Sequence, residues 1–177
     1  RHGWMVDTND VLEGSGPFAP NRSGDVPLKP VVALVADGAQ SKAEAMARIG
    51  KTGGLKGLLG TDDARAIDQM IADGDPWATV VYDAMAYQTA KAIGGFAAAL
   101  EGAVDGIVLT GGVSHDAIFV NAVRRRVQWI APVAVYAGDF EMEGAAAGAV
   151  RALDGTESVM TYTGEPSWDG FKLSGAP

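Results

Sequence analysis

An arginine inside a glycine-containing loop is the first feature able to do chemistry in this sequence of 177 residues. Arg22 is followed by Ser23 and Gly24, and the loop continues to Asp25. An arginine in such a loop can reach into a cleft and hold a phosphate or a carboxylate through its planar guanidinium. The alternative is an ordinary surface arginine that pairs with Asp25.

A pair of glycines, Gly111 and Gly112, follows a short apolar run that reads as a buried strand over 106–110. A helical pattern begins near Ser114. Two glycines between a strand and a helix let a flat ligand lie against bare backbone, because no Cβ intervenes. Paired glycines also form ordinary tight turns, so the pattern alone leaves both interpretations open.

Charged residues stand at two predicted helix starts. Thr61 and Asp62 suit an N-cap, and Arg65 follows Asp62 at a spacing that allows the two side chains to pair. The segment from Asp139 to Glu143 follows the last predicted strand and begins a helix. The helix dipole favours acids there whether or not they have a function, and they can also hold Mg²⁺ together with phosphate and water.

Hydrophobic periodicity and chain breakers predict an α/β fold with a short mixed sheet flanked by helices. The strand–helix–strand order near the end predicts a parallel pair with a right-handed crossover. Ser41 and Glu44 form a capping-box pattern, and the longest helix begins at Pro76. The predicted strands are 4–9, 106–110 and 133–137, the predicted helices are 28–37, 42–50, 61–73, 76–101, 114–130 and 141–154, and the remaining segments are a loop over 10–27 and a short apolar turn over 55–59.

Composition narrows the class of protein. The chain carries a net charge of −8, 47% hydrophobic residues, two histidines and no cysteine. An acidic surface repels phosphate backbones, so we expect no nucleic-acid partner, and the cluster Arg124–Arg126 points in three directions on a helix. No apolar run approaches the roughly 20 residues that cross a bilayer, and disulfides are excluded. We therefore expect a cytoplasmic protein that does not contact a membrane.

The order of these motifs resembles the acetokinase family, and within it the butyrate kinase branch. The resemblance covers about residues 3–155, and its most specific part runs from Gly16 to Gly24. The other matching stretches are 6–9, 59–65, 82–91, 107–113 and 130–133, with Glu141 and Met142.

The resemblance implies one of the two ribonuclease-H-like domains of an actin-like ATPase. Such enzymes transfer the γ-phosphate of ATP reversibly to a short-chain carboxylate, here butyrate, and use Mg²⁺. Residues 1–155 then correspond to the C-terminal nucleotide-binding domain, residues 156–177 to a tail, and 76–101 to a long central helix. Because members of the family are longer, the resemblance also implies that this chain alone has no transfer activity but can bind adenine nucleotide weakly.

Residue roles carry over by position. Arg22 matches the active-site arginine that clamps the carboxylate or the transferring phosphoryl group. Glu141 matches the acidic residue near Mg²⁺. The residues that match the adenosine-binding segments are Asp63, Arg65, Gly111, Gly112, Val113 and Asp116. Ser114 and His115 replace a Gly-Glu pair common in acetate kinases, and Asp116 replaces an asparagine, which weakens the nucleotide assignments relative to Arg22.

Other functions stay open from the sequence alone. The acceptor is acetate, propionate or a branched acid if the acyl pocket differs in size. A non-catalytic interaction domain of the same fold is the alternative from another class. The family usually forms homodimers through this domain, and the helix at 76–101 is apolar enough for either core or interface.

Overall fold

The computed structural model describes residues 5–159, 161, 163 and 164. It divides into two units, residues 1–139 and residues 140–177. The predicted tail at 156–177 lies mostly outside the described residues, and the predicted boundary at residue 155 stays a prediction.

Helices and strands alternate in the second half of the first unit, after a run of helices. The helices are α1 Leu28–Ala36, α2 Lys42–Gly50, α3 Gly54–Leu59, α4 Ala64–Ala72, α5 Pro76–Ala99 and α6 Ala117–Val127; the strands are β1 Ile107–Gly111 and β2 Val133–Ala137; a 3₁₀ turn spans Gly112–His115. The predicted α/β class is confirmed.

Local capping chemistry explains where several helices begin. The Ser41 hydroxyl accepts from Glu44 N at 3.2 Å, and the Glu44 carboxylate accepts from Ser41 N at 2.8 Å. Asp75 accepts from Trp77 N at 2.8 Å, and Pro76 fills the first helical position, where its missing N–H costs nothing. The predicted starts of α2 and α5 are confirmed.

The sheet consists of two parallel strands joined through α6. The register runs from Ile107 opposite Val133 to Gly111 opposite Ala137. Beyond it, the single antiparallel feature among the described residues is an isolated bridge between Gly111 and Gly138. The predicted parallel pair is confirmed, and the mixed character of the sheet is limited to that bridge.

Three predicted elements differ from the structure. The apolar turn predicted over 55–59 is part of a short helix, α3. Residues 5–9 of the predicted first strand have no regular structure, and Met5 is 82% exposed; the first residue of that prediction lies outside the described part. A strand needs a partner for its backbone groups, and none of the described segments pairs with it. The predicted helix over 114–130 is divided at Asp116, where the 3₁₀ turn ends and α6 begins.

The core forms where α5 packs against α4 and α6. Tyr82, Met85 and Ala86 of α5 are at most 2% exposed, and they join Ile67 of α4 and Val123 of α6 in one apolar cluster. The basic cluster also serves this packing, because Arg125 and Arg126 each donate to Asp83 at 2.7 Å and so join α6 to α5.

In the second unit, the described residues form one helix, α7 Glu141–Leu153. Glu141 and Glu143 lie in its first turn, where the helix dipole favours acids. Arg151 donates to Glu157 at 2.8 Å just beyond its end. In the part of the chain that the structure describes, no helix combines the length and hydropathy of a membrane span.

We expect Ile67→Ala to lower the free energy of unfolding by about 2–5 kcal/mol, because Ile67 is fully buried and its loss leaves a cavity. Ile118→Ala on α6 is the matched control, since that side chain is 45% exposed. Urea denaturation of both variants measures the difference, and equal losses would contradict the assigned core.

Candidate functional site

A cavity of about 550 Å³ opens between the start of α4, the 3₁₀ turn and the start of α6. Its lining consists of Asp62, Asp63, Ala64, Arg65, Asp68, Gly112, Val113, His115 and Asp116. Of the residues that the sequence predicts for nucleotide binding, five lie together here: Asp63, Arg65, Gly112, Val113 and Asp116. Segments about fifty residues apart in sequence therefore form one surface.

The glycine pair leaves the backbone bare at one wall of this cavity. Gly111 has a φ of +85°, a left-handed conformation that glycine adopts without strain, and β1 ends there. No described atom lies within 4 Å of the position that a Cβ on Gly112 would occupy, so this residue faces open space. Gly112 thus offers the bare surface that the sequence predicted, and Gly111 supplies the turn.

Asp63 and Arg65 form a bidentate side-chain contact at the rim of this cavity. Asp63 caps α4 by accepting from Arg65 N at 3.0 Å, and its two oxygens accept from Arg65 Nε at 3.2 Å and Nη2 at 3.1 Å. These hydrogen bonds lower the pKa of Asp63 and raise the pKa of Arg65. The predicted pairing of Arg65 with Asp62 is wrong, because Asp62 lies 3.5 Å from Lys56 Nζ instead. The carboxylate of Asp63, which is closer to Arg65 in sequence, instead fixes the orientation of the guanidinium plane.

Asp116 is the buried anchor of the site. Its Oδ1 caps α6 by accepting from Ile118 N at 2.7 Å and Phe119 N at 3.3 Å, and its Oδ2 accepts from the Tyr82 hydroxyl. The residue is only 8% exposed. Burial, and then the hydrogen bond to Asp116, raise the pKa of Tyr82, so the phenol remains a donor. The site is thereby joined to the first half of α5.

Asp68 is a cavity residue that the sequence analysis missed. It lies on α4 three residues after Arg65, on the same helical face. Its Oδ1 is buried and has no hydrogen-bond partner. Burial first, and then the charge of Asp116, raise the pKa of the Asp68 carboxyl above its usual range. The spacing from Arg65 was a signal for Asp68, whereas nothing in the sequence singled out Tyr82 within the long helix.

Arg22 lies in a separate loop and does not line this cavity. It is half-buried, and within the described residues no hydrogen bond or ion pair engages its guanidinium. The alternative pairing with Asp25 is not formed, since Asp25 Oδ1 accepts from Gly16 N at 2.9 Å. Arg22 therefore keeps its donors available for another anion.

Backbone contacts fix the shape of the Arg22 loop. Ala19 O accepts from Leu55 N at 3.2 Å, and Pro20 O accepts from Lys56 N at 2.8 Å, so the loop lies on the first turn of α3. Gly54 permits this approach, because its φ is +58° and a Cβ there would collide with the carbonyl oxygen of Ala19. The sequence predicted only a break in regular structure at Gly54. In the structure, the missing side chain of Gly54 lets the loop approach α3 closely enough for backbone hydrogen bonds.

A second cavity, of about 660 Å³, lies beside the same loop. Its lining includes Ser23 and the apolar side chains Phe18, Val31, Leu34 and Leu58.

Glu141, the predicted Mg²⁺ residue, belongs to the second unit and begins α7. Its role and the roles of the other predicted site residues stay predictions.

Comparisons with known proteins point in one direction. A protein-family model described as the acetokinase family matches residues 5–150. Among solved structures, acetate kinase from Porphyromonas gingivalis superposes with a TM-score of 0.67 at 24% identity, over 77% of this chain and 41% of that one. A propionate kinase from Francisella tularensis subsp. tularensis SCHU S4 gives 0.64 at 19% identity, over 72% and 39% respectively. Acetate kinase from Entamoeba histolytica gives 0.64 at 20% identity, over 77% and 43%.

At these identities the structural matches establish the fold, which is that of part of an acetate or propionate kinase structure. The chain spans less than half the length of each of these three structures.

We expect Tyr82→Phe to lower the free energy of unfolding by about 1–3 kcal/mol, because it removes a donor from the buried Asp116 carboxylate. Tyr87→Phe is the control, since Tyr87 is 53% exposed on the same helix. If denaturant titrations gave the two variants the same stability, the anchoring role of Asp116 would be refuted.

We expect Gly54→Ala to destabilise the protein by about 1–3 kcal/mol more than Gly38→Ala does. Both glycines have a left-handed backbone, but nothing lies within 4 Å of a Cβ built on Gly38. The comparison separates the collision with Ala19 from the conformational strain that both variants share. Urea unfolding measures it, and indistinguishable midpoints would rule out the close approach.

Proposed function

This chain belongs to the acetokinase family, and on that premise we propose that it supplies the adenine-nucleotide site of a kinase that phosphorylates a short-chain carboxylate. The observation that carries the proposal is the cavity in which Asp63, Arg65, Gly112 and Asp116 meet. Its volume of about 550 Å³ lies within the range of small-molecule sites, about 300–1,000 Å³. The cofactor is ATP in one direction and ADP in the other.

The wall residues suit a nucleoside. The bare backbone of Gly112 leaves room for a flat ring, and the Arg65 guanidinium, held in a plane by Asp63, presents a face on which a purine can stack. Asp63, Asp116 and the backbone of Val113 offer acceptors and donors around that ring. We assign the adenine and ribose to this cavity.

Arg22 is the residue to which we assign the reaction itself. A carboxylate acceptor is already ionised near neutral pH, so the reaction needs no strong general base. The obstacle is the approach of two anions, and a guanidinium with no partner among the described residues can neutralise the charge that develops on the transferring phosphoryl group. The net charge of −8 does not prevent this, because the positive charge is required only locally.

Mg²⁺ fits the acids of this chain only in part. In the regions that the structure describes, no three His, Asp or Glu side chains come together as a metal site. Mg²⁺ commonly takes one or two carboxylates and completes its shell with phosphate oxygens and water, so a single residue suffices here. We propose Glu141 for that position, where the bound ion would reduce the charge on the ATP phosphates.

Butyrate is our proposed acceptor. The proposal depends on the residues from Gly16 to Gly24, which resemble the butyrate kinase branch, while the structural neighbours are named acetate and propionate kinases. The cavity beside Ser23, which apolar side chains line in part, is compatible with a short acyl chain. Acetate, propionate and branched acids are the competing substrates.

We also propose that transfer requires residues beyond these 177. The chain covers 41% of the Porphyromonas gingivalis enzyme, and Arg22 and the nucleotide cavity are separate within it. Homodimer formation is proposed on the family resemblance alone.

We expect Arg22→Ala to reduce kcat for acyl phosphate formation by about 10³-fold or more, the scale of an arginine that stabilises a transferring phosphoryl group. The assay uses the full-length protein with ATP and, in parallel, butyrate, propionate and acetate, and the ranking of kcat/KM identifies the acceptor. Arg124→Ala on α6 is the control, because among the described residues Arg124 bonds to Asn121, one turn earlier on the same helix.

Calorimetry with ADP separates the parts of this proposal. Unchanged ADP affinity with lost turnover in Arg22→Ala supports the assignment. Full turnover in that variant would overturn the role of Arg22, and nucleotide binding without turnover in the wild-type protein would favour the interaction domain.

A further inference from the structure

Three helices converge on one carboxylate pair at the nucleotide cavity. Asp68 comes from α4, Asp116 begins α6, and Tyr82 reaches Asp116 from α5. The pair is not explained by nucleotide contacts alone, because the Asp68 Oδ1 atom is enclosed by protein rather than open to the cavity. An enclosed carboxylate oxygen without a donor costs about as much as a lost hydrogen bond to a charged group.

Asp116 has the donors that an ionised carboxylate needs. It accepts two backbone N–H groups at the positive end of α6 and one phenolic hydroxyl. The helix dipole further favours its negative charge. Asp68 has no such support at Oδ1, and Asp116 is the group that interacts with it. Two neighbouring carboxylates of this kind ionise one at a time, so the proton belongs on the less supported member.

We infer that Asp68 and Asp116 share one proton, carried by Asp68 and donated to Asp116, and that this proton couples adenine-nucleotide binding to pH. The coupling rests on the proposed nucleotide site. The protonation of Asp68 depends only on the folded chain. Through its hydrogen bond to Asp116, the protonated Asp68 acts as a positioning residue for Asp116 and for the start of α6.

The other charges around the cavity show why Asp68 is the sensitive group. On α4, Asp63 is paired with Arg65, and just before that helix Asp62 lies beside Lys56. On the 3₁₀ turn, His115 lines the cavity, and from α5 the Tyr82 hydroxyl donates to Asp116. Asp68 is therefore the carboxylate whose charge nothing offsets. An anionic nucleotide binds more weakly once Asp68 is ionised, and its binding in turn favours the protonated carboxyl.

The sign follows from the raised pKa of Asp68. The folded state holds this proton more tightly than the unfolded state does. The associated stability is therefore complete below the ordinary aspartate range and is lost as pH rises through the raised pKa. Asp68→Asn removes this dependence, because its amide is neutral at every pH and still donates to Asp116.

The experiment measures ADP affinity of the full-length wild-type protein and of Asp68→Asn between about pH 5 and about pH 9. The ratio of the two dissociation constants, wild type over variant, cancels any pH dependence that the two proteins share, including that of the ADP phosphates. We expect it to rise about tenfold over this range, which corresponds to one unit of pKa change on nucleotide binding. A ratio that stays constant would overturn the inference, whereas absence of ADP binding at every pH would instead refute the proposed nucleotide site.

Asp68→Ala tests the hydrogen bond to Asp116. This variant is as neutral as Asp68→Asn but has no donor, so we expect it to bind ADP more weakly than Asp68→Asn at every pH. Equal affinities would show that only charge matters and would contradict proton sharing.

A further measurement covers the case in which Asp68→Asn does not fold. Titration calorimetry of the His115→Gln variant, in buffers of different ionisation enthalpy, should show proton uptake when ADP binds in excess of that from the phosphates alone. Uptake no greater than the phosphates provide would overturn the inference.

Discussion

The carboxylate of Asp116 is the point on which the site depends. It satisfies two of the backbone donors that every helix N-terminus leaves open, and it does so while buried. The same group accepts from Tyr82 in the first half of the longest helix, so the bond ties the start of α6 to α5. The hydrogen bond between Tyr82 and Asp116 also helps to position the glycine turn, because the 3₁₀ segment ends where Asp116 begins α6.

Local chemistry was predictable from the sequence. The capping box at Ser41 and Glu44 and the start of α5 at Asp75 involve residues within three or four positions of each other. The same holds for the end of β1 at Gly111, where glycine alone tolerates the backbone conformation. The order of motifs then predicted which side chains gather at the cavity, although no pattern in the sequence shows the cavity itself.

Contacts across long separations were not predictable in this way. The partner of Asp116 lies 34 positions earlier, inside a helix whose apolar stripe gives no reason to single out Tyr82. The first predicted strand failed for a related reason. Apolar composition suits a strand, but a strand exists only where another backbone completes its hydrogen bonds, and periodicity contains no information about that partner. Asp68 is an intermediate case, because its spacing from Arg65 was visible while its burial was not.

The anchoring of the Arg22 loop has a consequence for how the chain matures during synthesis. The loop takes its shape from Leu55 and Lys56, and its Phe18 N donates to Gln88 of α5, 70 positions later. A ribosome therefore releases the arginine well before the segments that orient it, and the loop acquires its final form only after α5 has emerged. Arg22 is thus translated well before its loop can take the geometry described here.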